Sequence, residues 1–287
     1  MSRLRARGRG AALVLVLWLV ALMAALIGAF AMTAQTEHLQ ARTLGGSLVA
    51  GQAARAGLEY ALTRVSHADP RLQWQPDGRI HAWRFAGAAL EIRIIDEAGK
   101  FDLNAAEPAS LSALMRVLGT DPAQADAVAA AIADWRDGDD LTQPLGGAED
   151  PQYAAAGLPW GAKDAPFETV AEVEQVLGMT PALYAALAPH LTIHSGLPLP
   201  DARFAAAPVL RAIGVDPGPV LANRERPPQP GDPPFVGAGS GTYSIDSRAR
   251  LRDGRESTLR AVVRLGPSGI PGSAFTVLEW EEGALPR

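Results

Sequence analysis

The 287-residue chain contains no cysteine. Disulfides are therefore excluded, and an exported version would have to be held together by packing or by a bound metal. The first ten residues lack any acid, while Arg3, Arg5, Arg7 and Arg9 supply four positive charges. Between Ala11 and Thr36 there is no charged side chain of either sign. The whole chain has a formal net charge of −5, so the part after Gly10 carries about −9, a balance that argues against nucleic acid as the main partner.

What stands in the uncharged stretch is a run of apolar residues, 11–32. At the rise of an α-helix it is about 33 Å long, the thickness of a bilayer's hydrocarbon core. Arginines on its amino side, with no comparable cluster after it, place the N-terminus in the cytoplasm and the bulk of the chain outside. Three readings are open. "AFAMTAQTE" could supply a small-residue cleavage site for secretion at residues 29–34. The run could be a plain anchor. Or the junction "RGRG" before "AALVL" is itself the signal, because a short basic leader ending in Gly10 directly against an apolar helix resembles the processing site of type IV pilin-like proteins.

Beyond the anchor the pattern stays helical over 33–67, with apolar Leu44, Leu48, Leu58, Leu62 and Val65 among interleaved polar residues, and stops at Asp69-Pro70. Four glycines, Gly45, Gly46, Gly51 and Gly57, weaken that helix by about 1 kcal/mol each relative to alanine, so packing has to hold it. Residues 80–85 and 89–96 read as two strands around a turn at Gly87, the second with Leu90, Ile92 and Ile94 alternating against Glu91 and Arg93. A second β-rich block covers 241–265, with a hairpin turn at Asp253-Gly254, and a last strand covers 274–282. Between the blocks, 104–200 reads as helices only. The Pro-rich stretch 216–234 reads as a loop or linker returning to the sheet.

The densest polar cluster is "DWRDGDDLTQPLGGAEDPQY", which brings Asp134, Asp137, Asp139, Asp140, Glu149 and Asp150 within 17 residues. Carboxylates on turn-forming chain are what a hard cation such as Ca²⁺ binds, although the spacing is not that of an EF-hand. A solvated acidic loop has the same composition. Residues 100–200 hold 14 acids against 4 bases, a repulsion that a divalent cation would relieve. Catalytic patterns are weak. His190 and His194 stand four apart but lack the glutamate of a zinc protease, and "GAGSGTY" does not place Ser240 in a nucleophile elbow. A periplasmic metal-dependent hydrolase remains a formal alternative. Residues 167–193 look like a helix-hairpin-helix around Gly178, a unit that can bind DNA phosphates. Only Lys163 lies near, and Glu168, Glu172 and Glu174 would repel phosphate, so packing is the favoured role and a membrane-anchored DNA receptor the runner-up.

Together these segments resemble the K-type minor pseudopilin of type II secretion systems: the leader with Gly10, the apolar helix, "DEAGKFDLNAA", "DWRDGDD" with "GAEDPQY", and "FETVAEVEQVLGM". The resemblance implies an α+β fold: a long pilin-like transmembrane helix packed on a small antiparallel sheet, with a large all-α insertion of helix-hairpin-helix or SAM-like type. The chain then divides into a leader 1–10, a transmembrane helix 11–32, a pilin-like helix and first strands 33–103, an inserted helical domain 104–215, a linker 216–240 and returning strands 241–287. It also implies a non-enzymatic, single-pass inner-membrane protein with a periplasmic domain, cleaved by the prepilin peptidase after Gly10 and methylated at Ala11. Its partners would be the I- and J-type minor pseudopilins and the pseudopilus, with no nucleic acid. Most such subunits carry glutamate where this chain has Leu15. A carboxylate among apolar helices costs about 3 kcal/mol unless paired. A subunit lacking it cannot pair with one ahead, which suits the tip. Calcium is implied in the helical domain, carried onto Asp137, Asp139, Asp140, Glu149 and Asp150.

Overall fold

The computed structural model describes residues 8–69, 71–226, 240–266 and 275–283. Arg3, Arg5 and Arg7 of the leader and 227–239 of the expected linker lie outside the described residues.

Helix α1 runs without interruption over Gly8–Val65, so Gly10 and Ala11 lie in its first turns. Its stretch Leu13–Met32 is long and apolar enough to cross a membrane, and none of it is buried among the described residues. Further along, Ala50, Ala53, Ala54, Leu58, Ala61, Leu62 and Val65 are buried, a three-and-four spacing that puts one stripe against the sheet. The stripe is mostly alanine, and at Gly57 even a methyl group would be too much. A Cβ there would stand 2.2 Å from Ser247 Oγ and 2.7 Å from Leu90 Cδ2. Small residues thus let the helix lie close on the strands.

Five antiparallel strands form the sheet: β1 (Asp77–Phe85), β2 (Ala88–Asp96), β5 (Thr242–Arg250), β6 (Glu256–Leu265) and β7 (Phe275–Glu282), in the order β1-β2-β5-β6-β7. Register places Leu90, Ile92 and Ile94 beside Ala249, Ser247 and Ile245, all on the face that α1 covers. Alternation sends Glu91, Arg93, Asp246, Arg248 and Arg260 to the other face, where Arg260 joins Asp246 to Glu281 across three strands. The turn between β1 and β2 has Ala86 at φ 50° and Gly87 at φ 83°, the positive pair that a two-residue hairpin needs.

The described residues from β2 to the end of α7 form a second unit with its own core of Phe101, Leu103, Met115, Ile132, Trp135, Tyr153 and Leu210 among others. Its helices are α2 (Pro108–Val117), α3 (Pro122–Arg136), α4 (Asp150–Ala155), α5 (Pro181–Leu187), α6 (Ala207–Ala212) and α7 (Pro217–Glu225). Each opens with or near proline at the first turn, where its missing N–H costs nothing.

The structure departs from the sequence reading in three places. The expected all-helical stretch contains strand: β3 (Phe101–Asp102), at the start of the insertion, pairs in parallel with β4 (Leu191–Thr192), which lies ahead of α6. The first arm of the expected helix hairpin is a 3₁₀ turn over Val170–Gln175 rather than an α-helix. The stretch 216–234, read as a loop, holds α7, because Asp216 caps it through Gly218 N–H and Pro217 sits at its start.

Candidate metal centre

Helix α3 ends in acids for a reason visible in its contacts. Asp134 belongs to its last turn and is fully buried, with its carboxylate accepting from the N–H of Gln143 at 3.0 Å. The loop after the helix folds back over that carboxylate. Gly147 lets it do so, since a Cβ there would fall 2.1 Å from Asp134 Oδ2 and 2.7 Å from the Gln143 nitrogen. Asp137 caps the helix end, and the Gln143 side chain donates to its Oδ2 at 3.4 Å. Glu149 caps the start of α4 and is 4 % exposed, with its own N–H donating to Gln152 Oε1. One oxygen from each of Asp134, Asp137 and Glu149 lies within 4.8 Å of the others.

Three carboxylates this close, with no base among them, resist ionisation. Burial first, then the fields of Asp134, Asp137, Asp164 and Asp140, push Glu149 up from its ordinary 4.5 to about 7. Asp134 and Asp137 are also raised, again by burial above all and then by neighbouring acids. Asp137 Oδ1 and Glu149 Oε1 are buried with no hydrogen-bond partner among the described residues. Buried oxygens without donors are costly, so the arrangement lacks a positive group. A hard divalent cation fits this oxygen set, and the three side chains would give it three of the six to eight oxygens that Ca²⁺ takes.

Of the five residues implied by the resemblance, Asp137 and Glu149 are in this group. Asp139, Asp140 and Asp150 are exposed and outside it. Asp139 accepts from the N–H of Leu141, and Asp150 turns its carboxylate toward Gly161. Asp134 is the member the implied set left out, being placed within a helix rather than on the loop.

Other residues singled out by sequence have different work. His190 ends a short 3₁₀ turn and His194 follows β4, so they share no helix face. His194 Nε2 lies 3.0 Å from Glu279 Oε1 on β7, a tie between the two units. Beside it, Lys100 pairs with the buried Glu97, and Ser244 donates to the same carboxylate. Against the upward push of burial, Lys100 and these hydrogen bonds hold Glu97 below its ordinary value. Ser240 donates to Asp96 Oδ1 through both its N–H and its hydroxyl, tying the start of β5 to the end of β2. Lys163, the base near the hairpin, is taken up by Glu172 at 2.9 Å and Glu168 at 3.5 Å. The sequence missed Asp102, whose buried carboxylate accepts from Gly196 N–H, Ser195 Oγ and Asn104 N–H and locks the β3–β4 junction. The "FDLN" motif containing it was visible; its partner nearly a hundred residues away was not.

The described residues thus form an apolar helix laid on an antiparallel sheet, with a separate helical unit spliced between strands. Residues 90–196, which contain the end of the first hairpin and most of that insertion, match the family model of type II secretion system protein K. The chain is 32% identical over 205 residues to type II secretion system protein K of Klebsiella pneumoniae, covering 64% of this chain and 62% of that protein. The alignment thus spans under two thirds of the relative's length. In fold it is similar to a chain in the crystal structure of the GspK-GspI-GspJ complex from enterotoxigenic Escherichia coli, with a TM-score of 0.56 and 19% identity over 88% of this chain and 99% of that one. The resemblance to the K type read from the sequence is found again in both the family match and the relative.

Proposed function

We propose that this chain is a K-type minor pseudopilin of a type II secretion system, a structural component of the tip complex that initiates or caps the periplasmic pseudopilus. The observation that carries the proposal is the match of residues 90–196 to the protein K model in a chain that also bears an unpacked apolar helix at its N-terminus. On this reading Leu13–Met32 anchors the chain in the inner membrane with the N-terminus in the cytoplasm. The prepilin peptidase removes residues 1–10, Ala11 becomes the methylated first residue, and Leu15, lacking the usual acid, leaves nothing to pair with a subunit ahead. The I- and J-type minor pseudopilins are the partners, by likeness to the complex named above.

Co-expression with a prepilin peptidase tests this directly. Mass spectrometry should find a mature terminus at methylated Ala11, and pull-down of the full chain should bring the I and J types with it. An intact leader, or cleavage near Ala34, would overturn it.

Calcium belongs to the same reading, as a structural ion held by Asp134, Asp137 and Glu149, whose unpartnered oxygens support it. The ion would neutralise the three carboxylates and fasten the loop between α3 and α4. Calcium at a hundredfold excess over its dissociation constant should stabilise the fold by about 2.7 kcal/mol, or roughly 5–10 °C for a domain of this size. The same melting curve with calcium and with chelator would retire the ion.

A further inference from the structure

The sheet's two hairpin turns, between β1 and β2 and between β5 and β6, lie side by side, because Ala89 pairs with Arg250. That end of the sheet is the one nearest the apolar span of α1. The Arg255 guanidinium packs on Gly46, whereas Ser257 faces Gly51 and Ser247 faces Gly57, so the β5–β6 strands run back along the helix toward Met32. From Met32 to Gly46 the helix covers only about 21 Å. The headgroup layer takes up about 5–8 Å of that distance, and the turn at Asp253-Gly254 projects into the remainder.

What this rim presents is basic, in a chain that is otherwise acidic. Arg84, Arg250 and Arg252 line one depression of about 290 Å³, with Gly87, Ala88 and Ala89 keeping its floor shallow. Arg250 is engaged by Glu256 and Arg255 by Asp253. Arg84 and Arg252 are exposed, and their guanidinium groups have no hydrogen bond or ion pair among the described residues. Phe85, stacked on Trp83 and 44% exposed, completes the rim with an aromatic edge. Unpaired arginines beside an exposed aromatic, on the side facing a bilayer, are the composition that binds phosphate-bearing headgroups.

We propose that this rim docks on the anionic headgroup layer of the membrane that holds α1, with Arg84 and Arg252 taking phosphodiester oxygens. The contact gives the periplasmic part a second attachment point and so fixes its tilt and rotation about the anchor helix. It rests on the membrane-anchored reading above.

The absence of cysteine allows single labels on the full chain. Ala89→Cys carries a fluorophore at the rim and, in a separate protein, Ala21→Cys carries one within the span. Both are reconstituted into vesicles of phosphatidylcholine alone or with phosphatidylglycerol. Headgroup-tethered quencher should quench residue 89 about twofold more in the anionic vesicles, and the excess should vanish as salt shortens the Debye length below about 5 Å. Arg84→Glu with Arg252→Glu should abolish the excess; Arg84→Lys with Arg252→Lys should retain most of it. Acyl-chain quencher should reach residue 21 in every case. Equal quenching of residue 89 in both vesicle types, with residue 21 quenched, overturns the rim contact alone. An unquenched residue 21 overturns the anchor and the rim together. Loss of the excess with inorganic phosphate but not with chloride at matched ionic strength would make this a free-anion site and overturn the headgroup assignment.

Discussion

The two cores of this molecule are built on opposite principles. Around α1 the sheet closes on alanines and a glycine, nearly all apolar, with its charges sent to the far face. The insertion buries large side chains of eight or more short elements, but it also buries Asp102, Asp134 and Glu149. The first core is limited by how near two surfaces can come. The second is limited by whether its buried acids find partners, and two oxygens of its acidic cluster have none among the described residues. Regular strands need little beyond their own ladders, whereas short helices joined by turns need polar staples.

The sharpest way to break this comparison is to cut each core by the same amount. Leu58→Ala and Met115→Ala remove fully buried side chains, one from each unit, and should each cost about 2–5 kcal/mol. If the units are as separate as their cores, each variant lowers one calorimetric transition and leaves the other in place; a single shared transition would erase the distinction. Gly57→Val comes next. It tests close approach, and forcing a side chain against Ser247 and Leu90 should cost about 1–3 kcal/mol without altering the response to calcium.

Gly147→Ala addresses the other principle. It should cost a similar amount, about 1–3 kcal/mol, by displacing Asp134, and it should also remove the calcium-dependent rise in melting temperature. The pH response sharpens the point. Glu149 holds its proton more tightly in the folded than in the unfolded chain, so without cation the insertion should lose stability as pH rises from about 4.5 to 7. Calcium should flatten that decline, and a chelated protein with the same profile as the loaded one would contradict it. The smallest effect belongs to Asp139→Asn and Asp140→Asn, exposed acids that should change stability by less than about 0.5 kcal/mol and leave the calcium response in place.

The same contrast explains what could be read from the sequence. Strands β2, β5 and β6 announced themselves because alternation is local, as with Leu90, Ile92 and Ile94 against Glu91 and Arg93, and because Asp253-Gly254 is a turn in its own right. Helix α7 was hidden by Pro217 and Pro219, which read as breakers until the first is seen at the helix start under an aspartate cap. The β3–β4 pair is two residues long and joins positions ninety apart, so no window of sequence contains it. Asp137 and Glu149 stood out as loop acids. Asp134 was counted in the acidic cluster but not in the set the resemblance implied, and only the folding back of Gln143 and Gly147 reveals it as the centre of the group.

Since Phe101 and Leu191 are neighbours on paired strands, the stretch between them starts and finishes at one place, ahead of α6 and α7. A cassette mounted in that way can be enlarged, trimmed or exchanged for a short connector while the underlying rod and meander keep their geometry. Bulk beside the sheet is thereby an adjustable quantity, set independently of the parts that carry it.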